Sequence, residues 1–426
     1  MRRLHNGQAT ATAIALCVIS FFALGQGGVA AASFQPVRAT ELGLPLNARH
    51  DTSIVFAMDC VGNGSCTAGG TYTGKHSDSI PMVATETGGR WKRAIEIRLP
   101  ADAAHSPFAA VTSIDCTGPG SCLAVGFYNS ADSAQTFSFA TTESRGHWTA
   151  AHPIAAPPGG SGPSVFGISC YAPGSCTAVG GYAGGQSLDS PFAITEVHGR
   201  WGVAQPLRPP PDGKSGTMFA VSCPRRGFCA AVGNYVGATD ENQAVAVTES
   251  DGKWHRGVRI RLPRGADVGD YLASVSCPKV GFCTAVGQYG TTSGSDLPMA
   301  VTFSGRTWAR ARAINAVPEN AARSHDAWLT AVSCLPSGAC LGLGHYTDKA
   351  ARARVMIMTE SAGKWRDARE VLPPRNGKSD TSEDLLALLF VDGGADCART
   401  GYCAIGTLYQ DKSGAFDAMT AVTHLR

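Results

Sequence analysis

Fourteen of the fifteen cysteines in this chain of 426 residues fall in pairs of the form C-x5-C. The pairs are Cys60 and Cys66, Cys116 and Cys122, Cys170 and Cys176, Cys223 and Cys229, Cys277 and Cys283, Cys334 and Cys340, and Cys397 and Cys403; Cys17 stands apart. Two chemistries use thiols in pairs. Structural zinc gathers four ligands, often with histidines at short spacing, whereas these pairs are dispersed and lack matching His pairs. Five residues between two cysteines suit a disulfide across a hairpin, because antiparallel neighbours lie within bridging distance. The expectation is seven disulfides, no metal and no cofactor.

Carboxylates and aromatics supply the other candidate chemistry. An Asp lies in a loop after each pair: Asp78, Asp132, Asp189, Asp240, Asp296, Asp348 and Asp411. Such a ring could hold a cation or accept bonds from sugar hydroxyls, but Asp also favours turns for its own backbone bonding. Tyr271 and Trp328 each lie six residues before the first cysteine of their repeats. They could stack on a sugar ring or an apolar side chain, or fill the core. Arg323, His325 and Asp326 bring polar groups to the loop before Trp328, and Asp392 and Asp396 precede Cys397. The ligand-binding candidates are therefore Tyr271, Trp328, His325, Asp326, Arg323, Asp296 and Asp348. No H-E-x-x-H, G-x-S-x-G, P-loop or EF-hand loop is present, and no catalytic residue is assigned.

The elements that must position these residues repeat. Successive first cysteines lie 56, 54, 53, 54, 57 and 63 residues apart. In the fourth repeat, Met218–Cys223, Cys229–Tyr235, Ala244–Glu249 and Trp254–Pro263 are short apolar runs separated by turn residues. They read as four strands, A to D. A tryptophan opens strand D and a tyrosine ends strand B, both read as structural. Seven four-stranded antiparallel units predict an all-β, seven-bladed β-propeller. The last repeat stops after strand C at Ala418–Thr423, and Ala39–Pro45 matches the missing strand D. The N-terminal strand is therefore expected to pair near Thr420 and complete the last blade. Seven disulfide hairpins put short, uniform turns on one face, so a site is expected on the other, among the D–A and B–C loops around the channel.

The order of C-x5-C, A-V-G-x-Y and x-x-G-x-W over residues 34–426 resembles secreted propeller repeat proteins of actinobacterial type with a disulfide hairpin per blade. That resemblance implies extracellular use and no particular activity. Arg2-Arg3, the apolar run Ala11–Leu24 and Val29–Ala32 read as a signal peptide over residues 1–32, leaving 33–426 as one domain. Export permits disulfides, and no later stretch is apolar enough to span a bilayer. A net charge of +3 with 16% charged residues gives no broad basic surface for nucleic acid. The expectation is a monomeric, secreted or cell-envelope-associated scaffold that binds a glycan or an extracellular protein through the D–A/B–C face. The alternative is a glycan-processing hydrolase or lyase with carboxylates at the channel, and a third reading is a structural envelope protein.

Overall fold

The computed structural model describes residues 36–131, 136–184, 187–266, 270–322, 326–378 and 393–425. The expected signal peptide, Cys17, Asp132, Arg323, His325 and Asp392 lie outside these residues, as does the side chain of Asp189. All regular structure in the described residues is strand. In the fourth repeat, strand A is Ser215–Arg225, B is Phe228–Val236 and C is Asn242–Ser250; D is split into Lys253–Trp254 and Val258–Arg259. The C–D turn is Asp251-Gly252, with φ of 51° and 76°. Two positive φ values in a two-residue hairpin match the right-handed twist of the strands it joins, which explains the glycine in x-x-G-x-W.

Strand A carries a β-bulge: the register jumps from Met218 to Ala220 and leaves Phe219 unpaired. The same jump bypasses Phe56, Thr112, Phe166, Ala273 and Thr330. A bulge brings the bent strand close to its partner. A Cβ on Gly233 would stand 2.0 Å from the Thr217 carbonyl oxygen, and Gly126, Gly180, Gly287 and Gly344 are equally confined. The glycine of A-V-G is thus a consequence of the bulge.

Every C-x5-C pair closes as a disulfide within its own hairpin. Cys60 bonds Cys66, Cys116 bonds Cys122, Cys170 bonds Cys176 and Cys223 bonds Cys229. Cys277 bonds Cys283, Cys334 bonds Cys340 and Cys397 bonds Cys403. The second cysteines Cys122, Cys176, Cys283 and Cys340 are buried and sit in the apolar clusters, so these bridges also fill core. The bridged Cα atoms are 3.9–4.2 Å apart, the short spacing of a non-hydrogen-bonded antiparallel pair.

Such a pair leaves the first cysteine's amide facing away from strand B. The preceding repeat satisfies it. The Cys223, Cys277, Cys334 and Cys397 amides donate to Ser169, Ser222, Ser276 and Ser333 Oγ, each at 3.0 Å. The Cys60 and Cys116 amides donate to Asp396 and Asp59 at 2.9 and 3.0 Å, and the Cys170 amide to Asp115. Every acceptor is the residue just before a first cysteine, and the circle closes from the seventh repeat to the first.

These sheets form a β-propeller of four-stranded antiparallel blades. Five sheets stand alone as blades, where the cysteine repeat predicted seven. Strands of the first and seventh repeats lie in one nine-stranded sheet instead. The cause is local: strand A of the first repeat runs from Ala48 to Gly62, and its Thr52 makes one parallel bridge to Phe416. The expected N-terminal pairing is present, with Thr40 opposite Thr420 and Glu41 opposite Met419. Val37 and Arg38 also pair, in parallel, with Val371 and Leu372 of the sixth repeat. A buried apolar cluster fills the space between each two successive repeats, including the seventh and the first, where Leu42 and Leu44 contribute.

Gly233→Ala should cost about 1–3 kcal/mol, because backbone must move to admit the methyl; chemical denaturation measures it. Deleting residues 36–45 removes the pairing to two repeats and two buried leucines. It should lower the melting temperature by roughly 5–10 °C, and an unchanged melt would show that the clasp is dispensable.

Candidate functional site

Strands A touch one another in succession around the molecule and back to the start, so they line its axis. The bulge turns its extra residue out of the ladder. In the third and fourth repeats that residue is Phe166 and Phe219, whose rings meet edge-on at 5.9 Å. Phe219 meets Tyr271 of the fifth repeat in the same way at 5.8 Å. Three aromatic rings thus form a row across three adjacent strands, Phe166 and Phe219 at mid-strand and Tyr271 at the D–A end of its own. Phe166 is 38% exposed, and Phe219 and Tyr271 are half-buried.

The row ends at carboxylates. The Tyr271 hydroxyl donates to Gln288 Oε1 at 3.2 Å, and the Gln288 side chain bonds Asp296. The Asp296 amide donates to Asp326 Oδ1 at 3.0 Å. Burial, then the Asp326 charge, pushes the Asp296 carboxyl above the usual range. Of the residues nominated from sequence, the structure brings Tyr271, Asp296 and Asp326 together. Gln288, Phe166 and Phe219 complete the group. The two phenylalanines stand four residues before the first cysteine and Tyr271 stands six before. A comparison at one common offset therefore misses their contact.

Trp328 and Asp348 lie elsewhere. Trp328 is 4% exposed and packs edge-on against His345 at 5.6 Å, in a cluster with Ile54 and Leu408. Burial lowers the pKa of His345 to about 3, so it is neutral. Asp348 closes its own turn. It accepts from the Ala350 and Arg352 amides and pairs with the Arg352 and Arg354 guanidiniums at 2.9 and 3.0 Å. Burial pushes its carboxyl up, but these donors outweigh burial and bring the pKa to about 2. Asp411 likewise holds a turn through Ser413, Gly414 and Ala415.

A second carboxylate group sits at the stapled end of the axis. Asp59, Asp115 and Asp396 belong to successive repeats, and each accepts a cysteine amide. Burial raises all three pKa values, and for Asp59 the charges of Asp396 and Asp115 add to it. Asp115 reaches about 7. Among the described residues no group of three His, Cys, Asp or Glu side chains is arranged to hold a metal ion. Two cavities, each of about 1030 Å³, lie between repeats on the stapled side.

No family model matches this chain, and no curated protein does. Solved structures with a similar chain path include a protein of unknown function from Dyadobacter fermentans, 13% identical, with a TM-score of 0.47 over 78% of this chain and 97% of that one. A Hadza microbial sialidase is 13% identical, with a TM-score of 0.48 over 82% and 74% of the two chains. An ulvan lyase is 10% identical, with a TM-score of 0.49 over 90% and 94%. At these values the likenesses carry no argument about activity, and the propeller is read from the strand pairing itself.

The aspartate trio makes stability depend on pH. At low pH Asp115 is protonated whether folded or not. Between its ordinary value of 3.8 and about 7 the unfolded chain releases the proton while the folded protein keeps it. Stability therefore falls as pH rises through that window and levels off above it. The facing groups are Asp59, Asp396, the Ser169 and Ser333 hydroxyls, and the cysteine amides. Asp115→Asn keeps an acceptor for the Cys170 amide and removes the charge. It should melt a few degrees above the parent at pH 7.5 and level with it at pH 4. Equal pH slopes for the two proteins would refute the assignment.

Proposed function

We propose that this protein is an exported seven-bladed propeller that binds a glycan at the channel mouth, on the face carrying the D–A and B–C loops. The blade count is supported by the seven inter-repeat clusters and the seven cysteine-amide bonds. On this reading the nine-stranded sheet is two blades joined by the single Thr52–Phe416 bridge. Export is supported by the seven disulfides, which persist in oxidising compartments. Residues 1–32 act as the signal peptide, and the mature domain begins near residue 33.

The observation that carries the binding reading is the row Phe166–Phe219–Tyr271. Partly exposed aromatic faces in series suit the apolar C–H faces of successive sugar rings, and Tyr271 adds a polar tip. Asp296 and Asp326 beside it accept bonds from hydroxyls. Arg323 and His325 belong to the same loop as Asp326 and are proposed to border the ligand.

An enzyme would use the same carboxylates. A glycosidase needs two carboxyl groups flanking the scissile bond, with room for substrate between them. Here Asp296 opens a strand C, Asp326 immediately precedes the next repeat's strand A, and the Asp326 carboxylate is engaged by the Asp296 amide, which favours holding a ligand over cleaving one.

Binding to a panel of plant, microbial and host glycans tests this reading. Phe219→Ala and Tyr271→Ala should each weaken the glycan captured by the parent protein by about 1–3 kcal/mol, the range for anchoring aromatics. Asp296→Asn should weaken it less. Product formation by the parent that disappears in Asp296→Asn would replace the binding reading with the enzymatic one.

A further inference from the structure

A trough of about 1030 Å³ lies between the fourth and fifth repeats, bounded by their A–B and C–D turns. Five arginines line it: Arg225, Arg256, Arg259, Arg261 and Arg306, all exposed. Among the described lining residues Asp251 is the single carboxylate. Among the described residues none of the five forms an ion pair, and Arg256 donates one long bond, 3.5 Å, to the Pro209 carbonyl. Gathering like charges around one concavity is unfavourable, and a bound anion relieves it.

The floor is apolar. Phe228, Phe303 and Trp308 are buried, with ring centroids 6.1 and 5.3 Å apart in succession. The Trp308 indole N–H is buried without a hydrogen-bond partner. Val258 and Val280 stand on the rim, 51% and 42% exposed. Together these give a cationic wall over an apolar base, large enough for several residues of a polymer rather than one ion.

We infer that this trough binds an acidic polysaccharide, a glycan chain bearing carboxylate or sulfate groups, at a site separate from the channel mouth. The planar guanidinium fork matches both anions in two-bond geometry. Val258 and Val280 offer surface to the C–H faces of the sugars. An acidic peptide is a poorer fit. It would bind most firmly by adding a strand to the outer edge, but strand D here is broken into Lys253–Trp254 and Val258–Arg259. One repeat further on, a trough of equal volume carries Arg312, Lys364 and Arg366 with Glu360, a second berth for the same chain.

The test is calorimetric titration of the full mature chain with an oligogalacturonate, a heparin oligosaccharide, a neutral cello-oligosaccharide and poly-glutamate. One or both acidic glycans should bind, which separates carboxylate from sulfate as the anion, and affinity should fall as salt rises. The double variant Arg256→Glu/Arg306→Glu should weaken binding by about tenfold or more. Arg256→Gln/Arg306→Gln should weaken it less, and its unchanged melt shows that folding is intact. Tyr271→Ala, which alters the channel mouth, should leave acidic-glycan binding unchanged, so the two sites stand or fall separately. Poly-glutamate binding as tightly as the glycans, salt-independent binding, or full affinity in the charge-reversed variant would each overturn the assignment.

Discussion

A disulfide across a narrow antiparallel pair turns the cysteine's own amide away from its partner strand, and that amide needs an acceptor. Around this propeller the acceptor comes each time from the repeat before, from the side chain next to that repeat's first cysteine. The same hairpin that is stapled internally is thereby hooked to its neighbour. One such bond contributes about 0.5–1.5 kcal/mol, less than the apolar cluster beside it. Its effect is on register. It fixes the height of each strand A against the next, so the bulges of successive repeats align around the axis.

That alignment builds the candidate site. A regular strand would send its residues alternately into the two inter-blade layers. The bulge removes one residue from the alternation and turns it toward the axis, at the cost of a glycine facing it on strand B. Phe166 and Phe219 occupy this turned-out position in neighbouring repeats, and Tyr271 meets them from the start of the next strand. Where the bulge residue is small, as Ala273 and Thr330 are, the wall ends. The channel mouth is thus uneven: aromatic along three repeats, then acidic and amide-bearing at Asp296, Asp326 and Gln288.

The frame was legible in the sequence because it is local and repeated. Cysteine spacing gave the hairpins, apolar runs gave the strands, and the mismatch between the chain ends gave the pairing of the N-terminal strand near Thr420, whose register the structure sets with Thr40 opposite Thr420. What was hidden depends on contacts between repeats. Asp or Ser precedes every first cysteine in plain view, yet its partner lies more than fifty residues away, and spacing alone does not reveal it. Asp348 looked like a ligand to something outside the chain, but two arginines four and six residues later take both its charge and its lone pairs. Trp328 shared an offset with Tyr271, but bulk and a fully buried neighbour, His345, draw it inward. The single bridge that merges two sheets depends on an extension of strand A that hydrophobic pattern does not mark.

Two of the three aspartate hooks, Asp396 and Asp115, serve a second donor, and the third, Asp59, takes the Cys116 amide. A serine hydroxyl suffices in four of the seven places, so the amide alone does not call for a carboxylate. Asp396 takes the Cys60 amide on one oxygen and the Ser333 hydroxyl, at 2.6 Å, on the other. It therefore ties the sixth, seventh and first repeats together where the chain's two ends meet. Asp115 likewise takes two donors, the Cys170 amide and the Ser169 hydroxyl, both from the third repeat. A second acceptor oxygen and one more bond of reach let a carboxylate bridge what a serine would only touch. The cost is three buried acids on successive strands, each raising the energy of charging the next. The hooks at the joint of the ring are consequently ones whose strength is set by protons, while the serine hydroxyls at the other hooks carry no titrating group.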